Sequence, residues 1–208
     1  MMKKGLFITF EGIEGCGKST QARMLKEFLI KAGKHVFLTR EPGGPKIAEE
    51  IRKMLLSVNN KEMLPQTEVL LYMASRSQHT GEWIIPELEK GKIVISDRYY
   101  DSTFAYQGAA RKIDGKLIDT IRRYATFGLV PDITFLVDLP EEIGLSRILA
   151  KDADRLEQES IAFHKKVRNG FLELANKEPE RFVVLDGNKS IKEIHDDVID
   201  IICKELII

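Results

Sequence analysis

Only two of the 208 residues are cysteines, Cys16 and Cys203, and they stand far apart in the chain. They cannot build a disulfide framework or a four-ligand zinc site, and such sparing use of thiols points to a reducing compartment. The four histidines, His35, His79, His164 and His195, are scattered. None has a metal partner at ligand spacing, so they read as structural. An excess of one charge is also missing: 32 Lys and Arg balance 32 Asp and Glu, for a formal net charge of zero. Proteins that bind polyanions broadly carry a basic surface, so general nucleic-acid binding is disfavoured. A small anionic ligand held by a local cluster of cations stays open. No apolar run approaches the ~20 residues of a membrane span. The stretch from Gly5 to Glu11 is too short for the core of a signal peptide. These absences predict a cytoplasmic protein with no membrane partner. Repeats, low-complexity tracts and linkers rich in Pro, Gly or Ser are lacking too, so the chain reads as one domain over 1–208.

What is present is an alternation of short apolar runs with longer amphipathic ones. Residues 6–11, 35–40, 92–97, 132–138 and 181–186 read as strands, each short, β-branched or aromatic, and bounded by Gly, Pro or charge. Four of the five lack clean alternation, which suits strands buried on both faces of a parallel sheet. Helices are predicted over 18–32, 47–56, 66–90, 116–125, 141–149, 157–177 and 191–206, with Pro86 kinking or splitting the third. Five strands alternating with helices predict a doubly wound α/β fold on a five-stranded parallel sheet. In such folds ligands sit beyond the carboxyl ends of the strands, so the residues just after each strand carry the functional signal.

After the first strand comes Gly12-Ile13-Glu14-Gly15-Cys16-Gly17-Lys18-Ser19-Thr20, which fits G-x-x-x-x-G-K-[ST] between a strand and a helix. Glycines let the backbone curl so that its N–H groups point at phosphate oxygens, and the helix N-terminus adds partial positive charge. Lys18 reaches the β- and γ-phosphates, and the Ser19 hydroxyl can bind Mg²⁺. A thiol at a helix N-terminus can have a lowered pKa, but Cys16 reads better as a small residue filling a tight loop. A guanine-reading N-K-x-D is not completed at Asn188-Lys189-Ser190-Ile191, which argues against a GTPase. The second strand runs into Arg40-Glu41-Pro42-Gly43-Gly44, and the third into Asp97-Arg98-Tyr99 with Ser102 to Gly108 following. Asp97 stands near the expected magnesium position, and Arg40 and Arg98 can both reach a second phosphate. A paired-arginine acceptor site of this kind speaks for a phosphotransferase over a nucleotide switch without turnover.

Phe10 to Thr20, the Arg-Glu-Pro-Gly-Gly turn, Asp97-Arg98-Tyr99 with Ser102 to Gly108, and Asp154-Arg155-Leu156-Glu157-Gln158-Glu159 together resemble the thymidylate kinase family, from Phe10 to about Ile202. The resemblance implies a P-loop kinase fold with a short lid at about 144–157. The implied reaction is transfer of the ATP γ-phosphoryl group to dTMP, with Mg²⁺ as cofactor, ATP and dTMP as partners, and homodimerisation. It implies that Arg40 and Arg98 bind the dTMP phosphate, and that Glu14 lies near the sugar 3′-hydroxyl or the phosphate. Asp97 and Ser19 serve Mg²⁺, directly or through water. Tyr72 stacks on thymine and Arg76, four residues on, hydrogen-bonds the base; on its own residues Tyr72 reads more readily as core. Ser102, Thr103, Tyr106 and Gln107 line the acceptor. The phosphate loop has no basic residue among Ile13, Glu14, Gly15 and Cys16, so the chain resembles the bacterial-type members that use lid bases. Arg147, Lys151 and Arg155 are the candidates, the two arginines ahead of the lysine. For the dimer, Ile47, Ile51, Met54, Leu55 and Leu71 offer apolar surface that could equally be core.

Overall fold

The computed structural model describes residues 5–148 and 153–206. Five strands form one sheet: β1 (Phe7–Glu11), β2 (Val36–Arg40), β3 (Ile93–Asp97), β4 (Ile133–Asp138) and β5 (Phe182–Asp186). Their order is β2-β3-β1-β4-β5, and every pairing is parallel. This is the doubly wound arrangement the alternation predicts, with each strand starting one residue later than expected. The central strands are the most apolar. Every residue of β1 is buried, and β3 and β4 are buried up to their last residue. Burial on both faces explains why no period of two marks them. Phe10 stacks on Phe135 at 5.1 Å between ring centroids, at the middle of the core.

The helices match the amphipathic runs, except that the one predicted over 141–149 already ends at Ser146, and with three larger differences. Residues 66–90 are not one helix: α3 (Pro65–His79) passes through a wide π-helical turn (Thr80–Ile84) into α4 (Ile85–Glu89), so the break comes ahead of Pro86. Helix 157–177 begins later, as α8 (Ile161–Lys177), because the Ser160 hydroxyl accepts from the Phe163 N–H and caps it there. The segment after β3, to which the periodicity assigns no helix, is helical: α5 (Tyr100–Thr103) continues into a π-helical stretch, Phe104–Ala110. The remaining helices are α1 (Lys18–Lys31), α2 (Lys46–Leu56), α6 (Gly115–Ala125), α7 (Glu141–Ser146) and α9 (Ile191–Leu206). Among the described residues no helix is long and apolar enough to cross a membrane.

A buried ion pair anchors the segment after β3. Arg181, just before β5, donates through Nη1 and Nη2 to both carboxylate oxygens of Asp101 on α5, at 2.8 and 2.7 Å. Asp101 is fully buried and Arg181 nearly so. Asp101→Ala removes the buried partner of Arg181, which keeps Glu178 and Thr134, so unfolding stability should fall by ~2–3 kcal/mol, below the full cost of a stranded charge. Urea denaturation checks this, and a loss below ~1 kcal/mol would mean that water reaches the guanidinium.

Candidate functional site

The carboxyl ends of β1, β2 and β3 open into a cleft of about 290 Å³. The loop Gly12–Gly17 forms its floor. Gly12, Gly15 and Gly17 all have positive φ, so the chain curls as the motif requires. At Gly15 the need for glycine is doubled: φ is +69°, and a Cβ would collide with the Gly144 carbonyl on α7. This contact seats α7 against the loop. Arg147, one residue past α7, donates from Nη1 to the Gly15 carbonyl at 2.9 Å. Lys18 opens α1 and lines the cleft, with Nζ 3.1 Å from the Ile13 carbonyl. Cys16 is buried, and burial pushes its thiol pKa up, in keeping with a small residue that fills a tight loop.

Two arginines line the cleft. Arg40, at the end of β2, is half exposed and pairs with Glu49 of α2 at 2.7 Å. Arg98 follows β3 in the left-handed region, with φ 70°, a strained conformation for a residue with a Cβ. Its Nη1 donates to the Gly12 carbonyl and the Ser102 hydroxyl, and its Nη2 to Glu14 at 2.9 Å and to the Tyr106 hydroxyl at 3.2 Å. The strain is held by Glu11, whose carboxylate accepts from the Tyr99 N–H and the Ser102 hydroxyl. Burial, then the charge of Asp101, push the Glu11 pKa up to about 8. Glu14 behaves oppositely. Burial would raise its pKa, but Arg98, His164, Lys18 and Tyr106 outweigh burial and hold it well below the usual carboxylate range. Glu14 is therefore an anion inside the cleft.

Tyr72, Thr103, Tyr106 and Gln107 line the wall opposite the loop. Tyr72 is buried, as the core reading expects, and also borders the cleft. The Tyr106 hydroxyl donates to Glu14 at 2.6 Å, and its ring lies 6.2 Å from both Phe163 and Phe171 of α8.

Of the expected arginines, Arg147 touches the phosphate loop without lining the cleft, and Arg76 and Arg155 are held away from it by other partners. Arg76 is buried behind it: Nε donates to Glu41, Nη1 to Thr103 and Nη2 to the Tyr99 carbonyl. It braces the wall. Arg155 donates to the Leu55 carbonyl and pairs with Glu68 at 2.6 Å, tying its segment to α2 and α3 and keeping it off the phosphate loop. Lys151 lies outside the described residues.

Seven further residues line the cleft with no role predicted from the sequence: Glu41, Pro42, Asp154, Leu156 and Glu157 within the motifs, and Arg52 and Leu56 outside them. Arg52, on α2, donates to the Pro42 carbonyl at 2.7 Å, and burial with the nearby Arg40 lowers its pKa. Its one sequence signal was a charge one residue from the apolar stripe of α2. Asp154 and Glu157 sat in a quoted motif but carried no assigned role.

Ser19 and Asp97 line the same space. Asp97 Oδ1 is buried and has no hydrogen-bond partner among the described residues. An orphaned carboxylate oxygen beside a hydroxyl suits a hard divalent cation. No cluster of three His, Cys, Asp or Glu is placed to hold a metal among the described residues. A cation here would thus need water or ligand phosphate to complete its shell.

Known proteins resemble this chain along most of its length. The family profile described as Thymidylate kinase matches residues 10–198. A thymidylate kinase of Thermoanaerobacter sp. (strain X514) is 46% identical over 203 residues, covering 98% of this chain and 100% of the relative. One of Sulfurihydrogenibium sp. (strain YO3AOP1) is 50% identical over 196 residues, covering 94% and 96%. The crystal structure of thymidylate kinase from Ehrlichia chaffeensis superposes with a TM-score of 0.78 at 36% identity, covering 95% of this chain and 98% of that one.

Proposed function

This chain belongs to the thymidylate kinase family, and we propose that its cleft holds dTMP between Arg40, Arg98, Tyr72 and Tyr106 while Lys18 holds ATP. The enzyme transfers the ATP γ-phosphoryl group to dTMP, giving dTDP for dTTP synthesis. One observation carries the residue assignment: two arginines, an aromatic wall and the phosphate loop border a single cleft at the carboxyl edge of the sheet.

Phosphoryl transfer demands positioning and charge neutralisation more than covalent chemistry. The loop N–H groups and Lys18 bind the donor phosphates. Arg40 and Arg98 hold the acceptor phosphate in line, their forks matching its oxygens. Mg²⁺ bound with ATP would neutralise phosphate charge, and Ser19 and Asp97 are the residues to hold it, directly or through water. The acceptor oxygen is already largely ionised at neutral pH, since its second pKa is about 6, so Asp97 is not needed as a base. Arg147 is the lid base of this reading, because its guanidinium already touches the phosphate loop. The lid, at about 144–157 within one domain spanning 1–208, excludes water when it closes.

The reading extends to assembly and location. Ile47, Met54 and Leu70 are exposed on α2 and α3, an apolar face suited to a homodimer. Leu55 is fully buried, and Ile51 and Leu71 pack against the core, so these three leave the interface. The protein acts in the cytoplasm on small molecules and not on nucleic acid.

The test is kcat/KM with ATP for dTMP, dUMP, ribothymidine monophosphate and thymidine. dTMP should lead, with dUMP ~10–200-fold lower because one methyl in an apolar niche is worth ~1–3 kcal/mol. Ribothymidine monophosphate should be rejected at least as strongly, since the Tyr106 edge leaves an added hydroxyl clashing or unpaired. In folded Tyr106→Ala the sugar preference should narrow while the dTMP/dUMP ratio stays. A change of base preference alone would displace Tyr106 from the sugar, and faster turnover of thymidine than of dTMP would overturn the acceptor reading.

A further inference from the structure

We propose that His164 is a positioning residue for the acceptor site: it takes up the Glu14 carboxylate when Arg98 turns to the acceptor phosphate. This rests on the reading of Arg98 given above. His164 lies on α8 and is fully buried. Its Nδ1 stands 3.4 Å from Glu14 Oε2. Among the described residues neither ring nitrogen has a hydrogen-bond partner. A core imidazole with both nitrogens idle is costly, because a buried polar group gives up its water without replacement. Its edge contact with Phe163 at 5.5 Å supplies packing and no polar partner. The purely structural reading of this histidine therefore leaves its chemistry unexplained.

The demand for such a donor comes from the reaction. Glu14 is ionised, and two cations act on it now: Arg98 Nη2, bonded to Oε1 at 2.9 Å, and Lys18 through its charge. Both are claimed by ligands, Lys18 by the donor phosphates and Arg98 by the acceptor phosphate. Binding thus draws positive charge away from a buried carboxylate just as more negative charge arrives. The Tyr106 hydroxyl stays on Glu14. Oε1, which Arg98 gives up, keeps the Tyr106 hydroxyl and gains room for a sugar hydroxyl as a second donor, and Oε2 faces His164. Closing the gap needs a shift of about 0.5 Å, after which Nδ1–H donates to the carboxylate at ordinary hydrogen-bond length. The proton stays on Nδ1, and no bond breaks. The ring thereby lowers the cost of the bound state.

The experiment measures kcat, KM for dTMP and KM for ATP in His164→Asn, His164→Gln and His164→Leu, each with and without Glu14→Gln, and in Arg98→Lys. An asparagine amide sits near the Nδ1 position, whereas glutamine places its amide near Nε2. His164→Gln and His164→Leu should raise KM for dTMP about tenfold, since a lost hydrogen bond to a charged group is at stake. Their kcat and KM for ATP should stay within about twofold of the parent, because the interaction serves ground and transition states alike. His164→Asn should keep a near-normal KM for dTMP, and the penalty should vanish in the Glu14→Gln background. Where His164→Leu fails to fold, the Asn and Gln pair decides alone. The role is overturned if Gln matches wild type, if Asn is as weak as Gln, or if the penalty survives Glu14→Gln. Normal kinetics in Arg98→Lys would sink the Arg98 reading, and this role with it. A defective Arg98→Lys beside a normal His164→Gln would sink this role only.

Discussion

Lys18→Ala should leave about one per cent or less of dTMP-dependent ADP formation, a loss of ~2.7 kcal/mol or more in transition-state stabilisation. The ammonium lines the cleft, where among the described residues its one hydrogen bond is to the Ile13 carbonyl of the loop. Phosphate charge on the γ-group shifts during transfer, and a cation fixed there answers it without reorganising. The fold should survive, because the sheet pairings and the core around Phe10 and Phe135 do not involve this side chain. Coupled-assay turnover on protein with an unaltered melting curve is the measurement. Retention of more than about a tenth of the activity, a loss under ~1.4 kcal/mol, would be incompatible with the assigned role.

Arg98→Ala should lower kcat by about a hundredfold and also raise KM for dTMP, because its phosphate partner belongs to both the bound state and the transition state. The same substitution strands Glu14, which loses a 2.9 Å ion pair inside the cleft, and keeps a Cβ residue at φ 70°. Part of the deficit could then come from a disturbed loop. Arg98→Lys separates the contributions, since it keeps the charge beside Glu14 and gives up the fork. If bidentate phosphate binding is the role, the lysine variant should recover stability but only a minor share of kcat. Full recovery of kcat by lysine would overturn the bidentate phosphate role of Arg98.

How far the sequence could be read depended on where each residue's partners lie in the chain. Lys18, Gly12 and Gly15 belong to a motif whose function comes from local backbone curl, so spacing was enough. The strands were found to within a residue because they are short, apolar and punctuated. Tyr100 to Ala110 was missed as helix, since its helical state is secured from a distance, by Arg181 on Asp101 and by Glu11 on Ser102. Arg76 and Arg155 were recognised as important, but their placement was not legible. Each is bound by groups far away in sequence, Glu41 and Thr103 for one, Glu68 and Leu55 for the other.

By itself, then, the sequence determined the parallel α/β class, the phosphate-loop motif, the two arginines at the ends of β2 and β3 and, through their joint resemblance, the family. These depend on local pattern and on the rule that parallel sheets bind ligands at their carboxyl edge. Only the tertiary structure decided which charged side chains face the cleft and which are consumed in its walls. A buried charge goes wherever an opposite charge or a hydrogen bond meets it, and that partner comes from whichever segment the fold brings near. So Arg147 lies on the loop while Arg155 is tied down by Glu68, and Arg52 joins the lining with no motif of its own. His164, unremarkable in the sequence, stands beside Glu14 although 150 positions separate them, because α8 packs across the chain segment that follows β3.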